Sequence, residues 1–144
     1  TIVIPEISEP LDLKEGEFFR EYLIDTMKRQ IETLAEVQNE NGLWHTLLMD
    51  NSSYVETSAT AGFAFGILKA IRKRYIDRKY EDTALKAVNA VINNINEDGE
   101  VQNVSFGTAM GNDLQFYKDI PITPMPYGQS LSVLCLVEYL NYFK

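Results

Sequence analysis

Ala59-Thr-Ala-Gly-Phe-Ala-Phe-Gly-Ile-Leu68 carries no charged side chain. This stretch predicts a helix over residues 56–75, and a helix that is apolar all round must be surrounded by protein. Small side chains at positions 59, 61, 62, 64 and 66 allow neighbouring helices to approach closely. The packing gained must offset two glycines, each of which costs about 1 kcal/mol of helix propensity. The stretch therefore predicts an interior helix.

Three further helices are predicted on either side of this interior helix. Residues 16–40 and 80–96 each combine an apolar face with a polar face, the pattern of a helix that packs on one side only. Residues 128–142 are apolar all round, so the order along the chain is outer, inner, outer, inner. The apolar positions are Phe19, Leu23, Met27, Ile31, Leu34 and Val37 in the first outer helix, Ala84, Leu85, Val88, Val91, Ile92 and Ile95 in the second, and Leu131, Val133, Leu134, Leu136 and Val137 in the last inner helix.

An internal repeat supports this order. The two outer helices end in Asn39-Glu-Asn-Gly42 and Asn96-Glu-Asp-Gly99, where glycine can take the left-handed conformation that satisfies the last carbonyls. The inner helices follow Tyr54-Val-Glu-Thr57 and Tyr127-Gly-Gln-Ser130, whose hydroxyl residue can cap the helix start. Repeated helical units bury their faces by stacking. We therefore expect two concentric layers, an arc of a closed ring with about two helical hairpins.

Two long connections separate each outer helix from its inner partner. They cover residues 42–55 and 99–126, and loops of this length in a compact domain are often functional. Residues 101–106 have weak strand character, which predicts a short β-hairpin. The whole chain is expected to form one domain.

Charge and cysteine content exclude several classes of function. A net charge of −8 argues against nucleic acid and against an anionic membrane surface. The lone Cys135 cannot form an internal disulfide, so the fold does not depend on an oxidising compartment, and a cytoplasmic location is expected. The start Thr1-Ile-Val-Ile-Pro5 has neither an initiator Met nor the pattern of a signal peptide. We expect the chain to be part of a longer protein.

Several motifs occur in an order typical of one enzyme family. Gly42-Leu-Trp-His-Thr-Leu-Leu48, Ser53-Tyr-Val-Glu-Thr-Ser-Ala-Thr-Ala61, Gly107-Thr108, Tyr117 and Tyr127-Gly-Gln-Ser130 follow one another over nearly the whole chain. Together they resemble the C-terminal region of glycoside hydrolase family 105, the unsaturated rhamnogalacturonyl hydrolases, which are similar to the unsaturated glucuronyl hydrolases of family 88. The resemblance implies a six-hairpin (α/α) toroid, of which this chain supplies the C-terminal arc.

The resemblance also implies a reaction and a missing part. The family removes the unsaturated uronic acid from lyase-generated pectin oligosaccharides by hydrating its double bond, without metal or cofactor. Its general acid, an Asp, belongs to the N-terminal half, and no position here matches that motif. The isolated chain is therefore expected to contribute no catalytic residue and to be inactive without the missing half.

Nine residues are candidates for substrate binding, each with a structural alternative. Trp44 and His45 can contact a sugar, or plug the barrel end and bond to backbone. The residues at the start of the helix predicted over 56–75 can bind a substrate carboxylate, or they can cap the helix. For Glu56 we expect the capping role rather than that of a catalytic acid. Lys118 can pair with a substrate carboxylate, but we expect it to be solvated instead. The nine candidates are Trp44, His45, Tyr54, Glu56, Thr57, Ser58, Thr108, Tyr117 and Tyr127.

Three functional hypotheses remain open. The chain is an arc of a family 105 hydrolase that acts on an unsaturated uronyl oligosaccharide, or a non-catalytic helical module that binds carbohydrate or a protein partner. It can also belong to another (α/α)-toroid enzyme, a reading disfavoured by the ordered motifs. Inner helices without ring neighbours expose apolar surface, which predicts homo-oligomers or docking of the missing half.

Overall fold

The computed structural model describes residues 1–8 and 10–144 and is predominantly helical, as the sequence predicts. Two short strands and a 3₁₀ turn interrupt the helices. In chain order the elements are α1 (Val3–Ile7), α2 (Phe18–Glu36), β1 (Trp44–His45), β2 (Val55–Glu56), α3 (Thr57–Arg72), a 3₁₀ turn (Arg78–Tyr80), α4 (Glu81–Asn93), α5 (Leu114–Lys118) and α6 (Pro126–Tyr142). The four long helices correspond to the four predicted ones, while the short α1 and α5 were not predicted.

Helix α3 lies at the centre of the fold and packs mainly against α6 and α4. Nearly all of its residues are buried, so the interior position predicted from its charge-free sequence is confirmed. Its two glycines face the N-terminal segment. A Cβ on Gly62 would lie 2.7 Å from Cδ1 of Ile2, and one on Gly66 would lie 2.7 Å from the backbone of Thr1. The glycines are therefore needed for close approach of the chain, which offsets their low helix propensity.

The two outer helices bury one face each, as predicted, with small differences in which residues are covered. Helix α2 buries Ile24, Met27, Ile31 and Leu34, and α4 buries Ala84, Ala87, Val88, Ala90 and Val91. Phe19 at the start of α2 is 52% exposed and Ile92 near the end of α4 is 43% exposed, so their assignment to the buried faces is wrong. Both lie near helix ends.

Helix α6 is enclosed on one side only, which corrects the prediction that it is buried all round. The side towards α3 buries Gly128, Ser132, Cys135 and Glu138. The opposite side carries an exposed apolar stripe in which every member is close to half exposed or more. We call this the α6 stripe; it consists of Val133, Leu134, Val137 and Leu140. Within the described residues no element covers this side, so its apolar sequence does not by itself produce burial.

The repeated glycine turns have the same geometry but do not cap the helices. Helices α2 and α4 end at Glu36 and Asn93, well before Gly42 and Gly99. Both glycines have left-handed backbone, with φ of 92° and 81°. Each closes a turn by donating its N–H to the backbone carbonyl of the asparagine three residues earlier, at 2.9 Å for Gly42 and 3.0 Å for Gly99. The predicted left-handed glycines are confirmed, but their role as helix C-caps is wrong.

A two-stranded hairpin forms in the first long connection. Strands β1 and β2 pair antiparallel, with Trp44 opposite Glu56 and His45 opposite Val55. The hairpin predicted for residues 101–106 is wrong: this segment makes only isolated bridges, Val101 with Ile95 and Ser105 with Ile122. The hairpin places the end of β2 directly at the start of α3, and this junction carries the candidate site.

Candidate functional site

A cavity of about 550 Å³ opens at the N-terminal end of α3. The first long connection forms one wall and the second forms the other, with the start of α3 between them. Its lining combines apolar side chains with hydroxyl groups, a composition that suits a sugar. The lining residues are His45, Thr46, Leu47, Leu48, Glu56, Ser58, Ala59, Phe63, Ser105, Gly107, Thr108, Tyr117 and Tyr127.

Glu56 is the N-cap of α3, and both of its carboxylate oxygens accept hydrogen bonds from protein donors. One oxygen accepts from the Ala59 N–H at 2.6 Å, while the other accepts from the Ser58 hydroxyl at 2.7 Å and from the Ser105 N–H at 3.1 Å. The residue is only 4% exposed. Because three protein donors already bond to its oxygens, this geometry suits a structural cap rather than a group that contacts a ligand.

The hydroxyl residues of the repeated signature do not cap their helices, contrary to the sequence-based expectation. The Thr57 hydroxyl is fully buried and has no hydrogen-bond partner among the described residues. Ser130 donates to the Pro126 carbonyl at 2.9 Å, inside α6 rather than at its free N–H groups. At α3 the acidic residue of the signature caps, since Glu56 reaches the free N–H of Ala59.

The two tyrosines of the signature converge on Ser105. The Tyr54 hydroxyl lies 2.8 Å from the Ser105 hydroxyl, and the Tyr127 hydroxyl donates to the Ser105 carbonyl. Tyr127 also accepts from the Gly107 N–H at 2.8 Å. Tyr127 lies within the first turn of α6 rather than before it, because the helix begins at Pro126. The repeat therefore joins both inner-helix starts to one point of the second connection.

His45 is held by protein groups at both ring nitrogens. Its Nδ1 lies 2.5 Å from the Ser53 carbonyl, which can only accept, so Nδ1 carries the proton. Its Nε2 lies 2.9 Å from the Asn39 amide nitrogen, whose orientation is fixed because the amide oxygen accepts from the Asn41 N–H. The ring is 7% exposed. It can therefore present an edge to a ligand in the cavity, but no unused nitrogen.

Trp44 lies in the core behind the cavity. Its side chain has no exposed surface, and its indole N–H donates to the Leu34 carbonyl at 2.8 Å. Its ring packs edge-on against Phe63 at 5.3 Å between centroids, and Phe63 lines the cavity. Trp44 thus supports a wall residue, and the structure places it where it cannot stack on a sugar.

The second connection supplies Thr108 and Tyr117 to the cavity. Thr108 is exposed, and the Tyr117 hydroxyl accepts from the Gly111 N–H at 3.2 Å. Next to Tyr117, the Lys118 ammonium pairs with Asp50 at 2.6 Å. The hydrogen bond from Lys118, followed by those from Ser52, holds the pKa of the Asp50 carboxyl well below its usual range. The solvated lysine expected from the sequence is therefore wrong, because Lys118 joins the two connections.

Six of the nine sequence candidates line the cavity. Trp44, Tyr54 and Thr57 do not line it; Trp44 and Tyr54 contact the lining residues Phe63 and Ser105. Sequence reasoning missed Ser105 and Phe63, because a serine in a loop and a phenylalanine in an apolar helix carry no signal of their own. Binding by the six lining residues stays a prediction. They are His45, Glu56, Ser58, Thr108, Tyr117 and Tyr127.

The described residues contain neither a metal-binding cluster nor a membrane-spanning helix. No group of three or more His, Cys, Asp or Glu side chains there has an arrangement that could hold a metal ion. Across residues 1–8 and 10–144, every helix is too short or too polar to cross a bilayer.

Known proteins resemble this chain in both sequence and structure. The family model described as Glycosyl Hydrolase Family 88 matches residues 1–143. The unsaturated rhamnogalacturonyl hydrolase YesR of Bacillus subtilis (strain 168) is 34% identical over 117 residues, which cover 81% of this chain and 32% of YesR. The chain thus spans about a third of the length of this curated relative.

Two solved structures superpose closely on the chain. They are described as possible members of family GH105, from Salmonella enterica serovar Paratyphi A and from Klebsiella pneumoniae. Each is 54% identical with a TM-score of 0.97, over 99% of this chain and 38% of the solved one. These relatives confirm the resemblance and the partial helical toroid inferred from the sequence. The chain therefore belongs to the glycosyl hydrolase 88 family, among its family 105 members.

Proposed function

We propose that this chain is the C-terminal arc of a glycoside hydrolase that releases the unsaturated uronic acid from lyase-generated rhamnogalacturonan oligosaccharides. The observation that carries the proposal is the 34% identity to a protein named an unsaturated rhamnogalacturonyl hydrolase. The cavity at the start of α3 supports it, since sites for small molecules are concave and largely apolar with a few convergent polar groups.

The proposed reaction is a hydration. An acid protonates C4 of the C4–C5 double bond, water adds at C5, and the resulting hemiketal collapses to release the neighbouring sugar. No bond is displaced directly at the anomeric carbon, so the spacing rule for paired glycosidase carboxylates does not apply. The step needs an acid, a water molecule and a site that holds the sugar in place.

The role proposed for this chain is to hold the sugar, not to supply the acid. Among the described residues that line the cavity, Glu56 is the sole carboxylate, and its oxygens are occupied by three donors. A group acting as general acid must reach the substrate with a proton to give. The same observation favours the alternative in which the chain by itself is a carbohydrate-binding module.

A complementation assay tests the proposal. The chain is assayed alone, and mixed with the part of the Salmonella relative that it does not match, using an unsaturated galacturonyl-rhamnose disaccharide. We expect no loss of double-bond absorbance with the chain alone and a loss with the mixture. A mixture that forms a complex yet leaves the absorbance of several unsaturated uronides unchanged would refute the enzymatic role. Disaccharide binding by the chain alone, measured by calorimetry, would then identify a binding module.

We also infer that the α6 stripe is covered by the remaining part of such a toroid. Four apolar side chains in one row suit another helix, and the solved relatives contain about 62% of chain beyond the matched region, since the match covers 38%. Without that partner, self-association through the stripe is expected. Light scattering of the chain and of Leu134→Gln tests this, because a monomer in both proteins contradicts it. For the whole protein we propose a cytoplasmic location.

A further inference from the structure

The two long connections form opposite walls of the cavity, and at α5 a lysine joins one to the other. The Lys118 ammonium lies 2.6 Å from an Asp50 carboxylate oxygen and 2.6 Å from the Ser52 hydroxyl. Lys118 ends α5 in the second connection, while Asp50 and Ser52 lie at the tip of the first. This contact links residues more than sixty positions apart and crosses from one wall to the other.

The acceptor side of this contact is preorganised. The Ser52 N–H and hydroxyl both donate to one Asp50 oxygen, at 2.9 and 2.7 Å, which leaves the other oxygen for Lys118. The side chains of Lys118 and Asp50 are 24% and 32% exposed, less than is usual for a surface pair. A partly shielded pair with a fixed acceptor loses less side-chain entropy than two free surface side chains.

Backbone hydrogen bonds hold both ends of the wall to which Lys118 belongs, but the segment between these ends has few polar anchors. The Gly111 N–H donates to Tyr117 and the Phe116 N–H donates to Asp113, both within the second connection. In the described part of the chain, the hydrogen bonds made by residues 108–117 stay inside this connection. Lys118 is therefore the polar tether of α5 to the first connection, and it directly follows Tyr117, which lines the cavity.

We propose that Lys118 is a positioning residue for the cavity: its ion pair with Asp50 holds α5 so that Tyr117 and Thr108 form the second wall. The role in sugar binding rests on the proposed function, whereas the tethering of α5 does not. Exposed ion pairs contribute modestly, so their loss should raise local opening of α5 by roughly two- to fivefold. The fold of α3 and α4 should not change, because the partners of Lys118, Asp50 and Ser52, belong to neither helix.

Amide hydrogen exchange on the 144-residue chain tests the tether without any ligand. We expect Lys118→Met and Asp50→Asn each to accelerate exchange at Gly111, Phe116 and Asp119 by roughly two- to fivefold, with α3 amides unchanged. Lys118→Arg should restore protection at these amides, because the guanidinium can still pair with Asp50. Lys14→Met, which removes an ion pair in the N-terminal segment, is the matched control and should change none of them.

The outcomes separate the tether from the sugar site. Unchanged exchange at all three amides in both Lys118→Met and Asp50→Asn would overturn the proposal, as would acceleration spread equally over α3. Calorimetry with the unsaturated disaccharide follows on the same variants, where we expect weaker binding by Lys118→Met and recovery in Lys118→Arg. Absence of binding by the unmodified chain would count against the proposed function, while the exchange result would still decide the role of Lys118.

Discussion

The ion pair between α3 and α6 gives the sharpest stability prediction. Arg72 near the end of α3 donates through Nε and Nη2 to the two oxygens of Glu138, at 2.6 and 2.9 Å. Glu138 is 3% exposed, and both of its carboxylate oxygens accept from Arg72. Arg72→Met keeps a long apolar side chain but leaves a buried carboxylate without its arginine. We expect this substitution to be strongly destabilising, although the site is far from the cavity.

The magnitude follows from burial. Removing one partner of a fully buried pair costs about 3–5 kcal/mol. The Arg72 side chain is 32% exposed, so water can reach the gap and the expected loss falls to about 2–3 kcal/mol. Replacing both residues, as in Arg72→Met with Glu138→Leu, should recover stability to within about 1 kcal/mol, because the unpaired charge is then gone.

Urea unfolding monitored by circular dichroism measures these differences. Arg29→Met is the matched control, since Arg29 pairs with Asp25 on the exposed side of α2 and its loss should have little effect on stability. A double variant as unstable as Arg72→Met alone would show that the unpaired carboxylate is not the cause of the loss. The same small effect in Arg72→Met and Arg29→Met would show that burial of the pair does not matter.

Three further predictions address the turns, the core and the cavity mouth. Gly99→Ala should lower the free energy of unfolding by about 1–2 kcal/mol, because residue 99 has left-handed backbone. Gly42→Ala should lower it clearly more, because the added Cβ would also lie 2.6 Å from a carbonyl oxygen of α4. Equal losses in unfolding experiments would contradict this. Burial raises the pKa of the Cys135 thiol to about 12, so a thiol reagent should label it only in denaturant, and labelling of folded protein at neutral pH would disagree. Lys118 lowers the pKa of the Asp50 carboxyl, so their ion pair stabilises the folded protein at every pH above the ordinary aspartate range near pH 4. This stabilisation is lost only as the pH falls through the lowered pKa that Asp50 has in the folded protein. Carboxyl NMR should detect no Asp50 titration near pH 4.

The helical architecture could be predicted because its signals are local. An apolar stretch without charge, such as the start of α3, can be stable only inside protein, and the structure buries it. The burial of α6 was overestimated, because a sequence shows that a helix face is apolar but not whether another element covers it. The α6 stripe therefore marks the limit of arguments from periodicity: they identify an apolar surface, and among the described residues no element covers it.

The wall of the cavity could be predicted only in part, for a related physical reason. Tyr54 and Tyr127 repeat in the sequence, but their meeting point, Ser105, becomes visible only when the second connection folds across both helix starts. Likewise Lys118 is an ordinary loop lysine until Asp50 is placed beside it.

These contacts are long-range, so local propensity does not encode them. Ser105 occupies the centre of this arrangement, receiving one tyrosine at its hydroxyl, another at its carbonyl, and offering its N–H to Glu56. A single loop residue thereby couples both inner-helix starts to the N-cap of α3. This coupling explains why the Tyr signature is repeated. Each tyrosine bonds the start of its inner helix to Ser105, and Ser105 lines the cavity.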